Sequence, residues 1–187
     1  MDALELLQQR VSSPLLGDQP PTEAQLALMF KAALRAPDHG GLHPWRFLTV
    51  VGDDRVRLGA LFLQAGLAKE PDMIDAKRSK LANMPLRAPL VVVVIARLQD
   101  HPKIPRIEQQ ISAGAAAQNL LLAAFAQGVG GIWRTGDMAY DRQVMAGLGM
   151  AENEELIGFV YLGSQPARMK KVHPLDPADF VQSWPVS

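Results

Sequence analysis

The run Leu90-Val91-Val92-Val93-Val94-Ile95-Ala96, bounded by Pro89, is apolar without a break. A Val-rich run that does not alternate with polar residues reads as a strand buried on both faces. It is too short to cross a bilayer, and no other apolar run reaches the ~20 charge-free residues a span requires. A strand of this kind has to be covered on each side by other elements of the chain.

The flanking segments supply that cover. Asp2 to Arg10 is apolar at positions 3, 4, 6 and 7, a short amphipathic helix. Thr22-Glu23-Ala24-Gln25 carries the capping-box pattern, which predicts a helix from about Glu23 to Arg35. Phe47 to Val51 is a strand candidate stopped by Gly52-Asp53-Asp54. A helix from about Arg55 to Lys69 and a polar helix near Ile74 to Ala82 follow. The longest element is predicted from about Ile104 to Gln127, with Gly128 as its C′ residue. Positions 104, 107, 111, 115, 118, 122 and 125 keep the helical period with only Gln118 polar. Ser112 to Ala117 is narrow, so another backbone can approach there. Gly131 to Thr135 is a short strand, Asp141 to Leu148 a short helix and Leu156 to Leu162 a last strand. Helices and strands mix without regular βαβ alternation, which points to an α+β fold with a mainly antiparallel or mixed sheet.

At 187 residues, 48% of them hydrophobic and 20% charged, the chain is sized for one globular domain, residues 1–187. Its last part, residues 164–187, reads as an extended, proline-rich arm closing on Phe180 and Trp184, which wraps its own core or reaches a partner subunit. Nineteen basic residues balance nineteen acidic ones, which disfavours nucleic acid as a partner. The lack of cysteine removes disulfides, thiol nucleophiles and thiolate metal ligands. Met1 to Glu5 has neither a basic n-region nor an apolar h-region, so the expected location is the cytoplasm, away from membranes.

Chemistry concentrates in Arg35-Ala36-Pro37-Asp38-His39-Gly40-Gly41-Leu42-His43-Pro44-Trp45-Arg46-Phe47. Loops hold binding chemistry because a scaffold positions them without burying unpaired backbone. His39 and His43 have a His-x-x-x-His spacing, but the glycines and Pro44 make a shared helix face improbable and no acidic partner is apparent, so no metal is expected. Arg10-Val11-Ser12 offers a guanidinium fork and a hydroxyl suited to phosphate. Taken alone, Arg10 reads more simply as a cation complementing a helix C-terminus. Gly128-Val129-Gly130-Gly131 follows a helix and enters a strand, the reverse of a dinucleotide fingerprint, so it reads as a helix stop and a close approach. Trp45 and Trp133 each sit beside an arginine. Each reads as core on its own, or together as aromatic walls for a flat ligand whose anionic tail an arginine holds.

In order and spacing these pieces resemble the FMN-dependent nitroreductase family, especially its short NAD(P)H nitroreductases of the YdjA-like type. Four blocks carry the resemblance: Leu4-Glu5-Leu6-Leu7 through Arg10-Val11-Ser12, Arg35-Ala36-Pro37-Asp38-His39 through Pro44-Trp45-Arg46-Phe47, Ser112 through Gly131-Ile132-Trp133-Arg134, and Ile157 through Gly163. The resemblance implies a nitroreductase-like sheet flanked by helices, in an intertwined homodimer with FMN at the subunit interface and the narrow long helix across the dimer axis. It implies that Arg10, Val11 and Ser12 meet the phosphate and ribityl chain, that Arg35 and His39 of the other subunit lie near the same flavin, and that Trp133, Arg134 and Thr135 line it. NAD(P)H would be the co-substrate, and hydride would pass through flavin N5 to a nitroaromatic, quinone or similar small-molecule acceptor. No side chain is demanded as nucleophile or general base, so no catalytic residue is assigned. Two departures stand out: Val11 replaces a second arginine common in the family, and His43 stands where glutamine is common. The alternatives are an FMN storage or delivery module with little turnover, and a hydrolase or metal enzyme using His39 and His43.

Overall fold

The computed structural model describes residues 2–184. Four strands form one sheet: β1 (Trp45–Val51), β2 (Leu90–Arg97), β3 (Val129–Arg134) and β4 (Glu154–Ser164). Their order is β1-β2-β4-β3, and every neighbouring pair is antiparallel. The unbroken apolar run is explained by its place inside that sheet. Leu90, Val92, Val94 and Ala96 enter one core with helices α2 (Glu23–Ala33) and α5 (Arg106–Ala126). Val91, Val93 and Ile95 enter a second core, on the other face, with α3 (Asp54–Lys69) and α6 (Arg142–Gly147). Each Val, Leu or Ile of the run contributes roughly 1.5–3 kcal/mol when fully buried, so a polar residue in its place would be costly.

The capping box forms at the start of α2. Thr22 Oγ1 accepts from the Gln25 backbone N–H at 3.2 Å, and Gln25 Oε1 accepts from the Thr22 N–H at 2.9 Å. The helix stops short of Arg35, because the residue before Pro37 is pushed out of the helical region. Helix α1 (Ala3–Gln9) buries none of its residues, and α4 (Asp75–Asn83) packs chiefly on α3.

Helix α5 differs from expectation in two ways. It starts at Arg106 because Pro105 takes the N-cap place, leaving Ile104 buried in the preceding loop. Its core face is Gln109, Ser112, Ala113, Ala116, Ala117, Leu120, Leu121 and Ala124 rather than the periodic apolar stripe. The small residues let α2 and the sheet approach within the same chain, and Asn119 Nδ2 donates to Ala32 O at 3.2 Å. The narrow section therefore serves the chain's own core. Ile107 and Ile111 of the expected stripe are 57% and 64% exposed.

Beyond β4 the described part of the arm, to Trp184, does not wrap the chain's own core. Phe180 and Trp184 are 70% and 90% exposed. Its last residues, 185–187, lie outside the described ones.

Candidate functional site

Arg10 caps α1, its N–H donating to Leu6 O at 3.1 Å. Val11 and Ser12 follow, half-buried, and the Ser13 N–H then donates to Gly131 O at 3.0 Å. Leu16 packs where a Cβ on Gly130 would stand, 2.7 Å from Leu16 Cδ2, and Gly17 bridges Ser164. Segment 10–17 is thus tied to β3 through Ser13 and, antiparallel, to the end of β4 through Gly17. The glycines of Gly128 to Gly131 are accounted for as read: Gly128 ends α5 at φ 72°, and Gly130 admits a close neighbour.

Trp133 is half-buried and its Nε1 donates to Ile157 O at 3.3 Å. The ring occupies the space a side chain at Gly158 would need, since a Cβ there would lie 2.2 Å from Nε1. Arg134 is half-buried and Thr135 is exposed, after which Gly136 turns the chain away at φ 72°. The structure therefore ties Ser13, which directly follows Arg10, Val11 and Ser12, to β3, the strand that ends in Trp133 and Arg134.

Arg35 and His39 lie elsewhere, in the loop between α2 and β1. Arg35 is exposed, and His39 Nδ1 meets Glu108 Oε2 of α5 at 2.6 Å. Glu108 is the acidic partner that sequence reading missed; 69 positions away, it falls in no local pattern. Asp38 organises the loop, its Oδ1 accepting from Leu42 N–H at 3.2 Å and its Oδ2 from His43 N–H at 2.8 Å. Trp45 is core, 8% exposed. Among the described residues, no ion pair or hydrogen bond joins Arg35 or His39 to the β3 edge of the same chain.

Charge at the β3 edge is unspent. Among the described residues, neither Arg10 nor Arg134 is in an ion pair, and nor is Arg35. A cavity of about 600 Å³ opens beside Val11 and Phe125, and Lys170 and Lys171 of the arm line it. The run Arg168-Met169-Lys170-Lys171 was the sequence signal for these cations. The groups with shifted pKa lie outside the site. Hydrogen bonding to Arg46 holds the Glu154 carboxyl below its usual range against the effect of burial. Burial of Asp141 is outweighed by Lys69 and two backbone N–H groups, leaving it lowered too. Burial pushes the Tyr161 hydroxyl up, with Arg87 and Arg134 opposing.

A sequence model described as "Nitroreductase family" matches residues 7–164, from within α1 to the end of β4. The chain belongs to the nitroreductase family. Among its nitroreductase relatives is a protein of Escherichia coli (strain K12) bearing the name "Putative NAD(P)H nitroreductase YdjA", 40% identical over 182 residues, covering 97% of this chain and 98% of that protein. A Haemophilus influenzae protein named "Putative NAD(P)H nitroreductase" is 36% identical over 183 residues, with 97% and 98% covered. In fold, the chain is similar to a nitroreductase-like family protein from Bacillus cereus, with a TM-score of 0.84 at 20% identity, covering 100% of this chain and 97% of that one. It is also similar to the FMN-dependent nitroreductase NfnB of Mycobacterium smegmatis, solved in complex with NADPH, with a TM-score of 0.76 at 18% identity and 97% of each chain covered. The family-model match ends where the arm begins.

Proposed function

We propose that this chain is the subunit of an FMN-dependent NAD(P)H oxidoreductase that reduces nitroaromatics, quinones or similar electrophilic acceptors. It would act in the cytoplasm as a homodimer with FMN at the subunit interface. The observation that carries the reading is the segment of Arg10 and Ser12 tied by Ser13 to β3, the strand of Trp133 and Arg134, with neither arginine paired to a carboxylate among the described residues.

That donor set fits FMN, a flat ring carrying a phosphate dianion. Guanidinium forks and a hydroxyl suit the phosphate, and the half-buried Trp133 offers an aromatic wall for a flat ring. Lys170 and Lys171 add positive charge beside Val11, the position at which the family often has a second arginine. Arg35 and His39, which among the described residues no hydrogen bond or ion pair joins to β3 of their own chain, would complete the site from the partner subunit. When bound, FMN supplies the two-electron chemistry, accepting hydride from NAD(P)H and passing it through N5 to the acceptor. The chain's own residues bind and orient. Arg10 and Arg134 neutralise the phosphate, Ser12 hydrogen-bonds the ribityl-phosphate end, and Trp133, itself held by Ile157 O and Gly158, fixes one wall.

The test is the absorption spectrum of the purified protein under anaerobic conditions before and after NADPH, then NADH. Flavin bands that bleach support the oxidoreductase. Bands that persist with either donor overturn turnover in favour of storage, and protein that takes up no FMN overturns the site. Arg10→Ala should weaken FMN retention about tenfold or more, as loss of a charge-assisted hydrogen bond does, with the thermal midpoint of the apoprotein unchanged. Unaltered FMN affinity would remove Arg10 from the phosphate.

A further inference from the structure

His43 is, among the described residues, the one non-glycine with a positive φ, 48°. It also precedes Pro44, where the backbone is pushed toward extended conformations. Strain of this kind persists only where the surroundings over-determine it. Here each neighbouring backbone group is tied. Asp38 accepts from the Leu42 and His43 N–H groups, and the Trp45 N–H donates to His43 O at 2.8 Å. The remaining group, Leu42 O, accepts from Gln99 Nε2 at 2.8 Å.

Gln99 is itself fixed from below by Gln109, a residue of α5 that is 1% exposed. Gln109 Oε1 accepts from the Gln99 N–H at 2.9 Å, and its Nε2 donates to Gln99 O at 2.9 Å and to Ile104 O at 3.4 Å. Ile104 closes the other side of the loop: a Cβ on Gly40 would lie 2.4 Å from Ile104 Cδ1. One residue before Gln109 on the same helix, Glu108 holds the His39 ring. The first turns of α5 therefore grip the 38–43 loop through the His39 side chain and, by way of Gln99 and Ile104, through its backbone. A buried amide is costly unless its hydrogen bonds are made, and the amide of Gln109 is committed to the backbone of Gln99 and Ile104, the two residues that meet the 38–43 loop.

We propose that Gln109 is a positioning residue of this oxidoreductase: through Gln99 and Ile104 it holds the 38–43 loop in the conformation that presents His39 to the FMN of the partner subunit. This rests on the assignment of His39 to the cofactor. Gln109 touches no ligand and acts through His39.

The experiment is FMN dissociation from the holoenzyme, followed by the fluorescence of released FMN, in Gln109→Leu, Gln99→Ala, His39→Ala and the Gln109→Leu/His39→Ala pair. Thermal midpoints and exchange of the Leu42 and His43 amides are measured alongside. The first three variants should each raise the FMN dissociation constant about tenfold, as leaving a polar partner unpaired does. The double variant should be less than about twofold worse than His39→Ala alone, because coupled residues are not additive. Amide exchange at Leu42 and His43 should quicken in Gln99→Ala and Gln109→Leu. Gln99 is exposed, so Gln99→Ala carries the test if Gln109→Leu does not fold. Normal FMN affinity in Gln99→Ala and Gln109→Leu, with weakened His39→Ala, overturns the positioning role and leaves the cofactor assignment standing. Losses that simply multiply in the double variant overturn it as well. Normal affinity in His39→Ala overturns the assignment of His39 and the positioning role with it.

Discussion

Glu154, 5% exposed at the start of β4, ties the ends of three strands together. Its two oxygens accept from Arg46 Nε and Nη2 of β1 at 2.7 and 2.6 Å, while Arg97 of β2 stands at 3.5 Å. The Ala151 N–H adds a further bond at 3.1 Å. Hydrogen bonding to Arg46 lowers the carboxyl's pKa against burial, so the folded value lies below the unfolded one. The linked stability is therefore present above the unfolded value, about 4.3, and is lost as pH falls through the lowered folded value. Glu154→Gln should cost about 2 kcal/mol at neutral pH, since a hydrogen-bonded charge is removed while Arg97 still reaches water. The gap between wild type and variant should narrow as the medium is acidified through the carboxylate range, as read by urea midpoints at both pH values. A gap independent of pH would mean that packing, not charge, makes Glu154 matter. The same pair shows where reading residues from sequence stops. Trp45-Arg46 and Trp133-Arg134 look alike as dipeptides, yet Arg46 is committed to a carboxylate 108 positions away while Arg134 has no ion-pair partner among the described residues. No local signal separates them.

At the scale of elements, what depends on neighbours in sequence was legible, and what depends on neighbours in space was not. The capping box of α2, the stop at Gly128 and the two-sided burial of β2 all follow from local chemistry, and all three appear in the structure. Which face of α5 looks inward does not follow from its period, because an alanine face and an isoleucine face are both apolar. The alanines went inside, since only they let α2 and the sheet come close. Two glycines of α3 make the distinction testable. A Cβ on Gly59 would meet the backbone oxygen of Ala82 in α4 at 2.0 Å, whereas one on Gly66 would meet Leu81 Cδ1, the far end of a flexible side chain, at 2.4 Å. Alanine gains about 1 kcal/mol of helix propensity over glycine in both places. At Gly66 the Leu81 side chain can yield, so Gly66→Ala should be near neutral. At Gly59 the backbone of α4 cannot, and overpacking of about 1–3 kcal/mol should outweigh the gain. Thermal midpoints should drop clearly for Gly59→Ala alone, and equal midpoints would show that α4 slides on α3 without cost.

At the scale of the whole molecule, one chain leaves too much apolar surface unpaired for its own core to explain. Helix α1 is 7 residues long and buries none of them, with Leu4 and Leu7 at 68% and 59% exposed. A helix that short has little stability in water without packing. Ile107 and Ile111 lie exposed on α5, and the arm carries Phe180 and Trp184 into solvent. The residues proposed for the cofactor divide in the same way, with Arg10 to Ser12 leading into the tie to β3, and Arg35 and His39 in a loop that, among the described residues, no hydrogen bond or ion pair joins to that strand. Both observations favour the proposed homodimer, in which a second copy covers the apolar face and brings its His39 to the first copy's β3 edge. Exposed hydrophobic residues on a lone chain tolerate charge, since surface substitutions are usually within about 0.5 kcal/mol of neutral. The Ile107→Glu/Ile111→Glu variant should therefore fold, with near-normal helix content by circular dichroism. It should sediment as a monomer, and it should lose its flavin absorbance in the same step, because neither half of the divided site holds the cofactor alone. A folded monomer that keeps FMN would show that one chain suffices for binding. A dimer with normal flavin would show that the subunits meet through some other face, leaving the α5 stripe without a role in assembly.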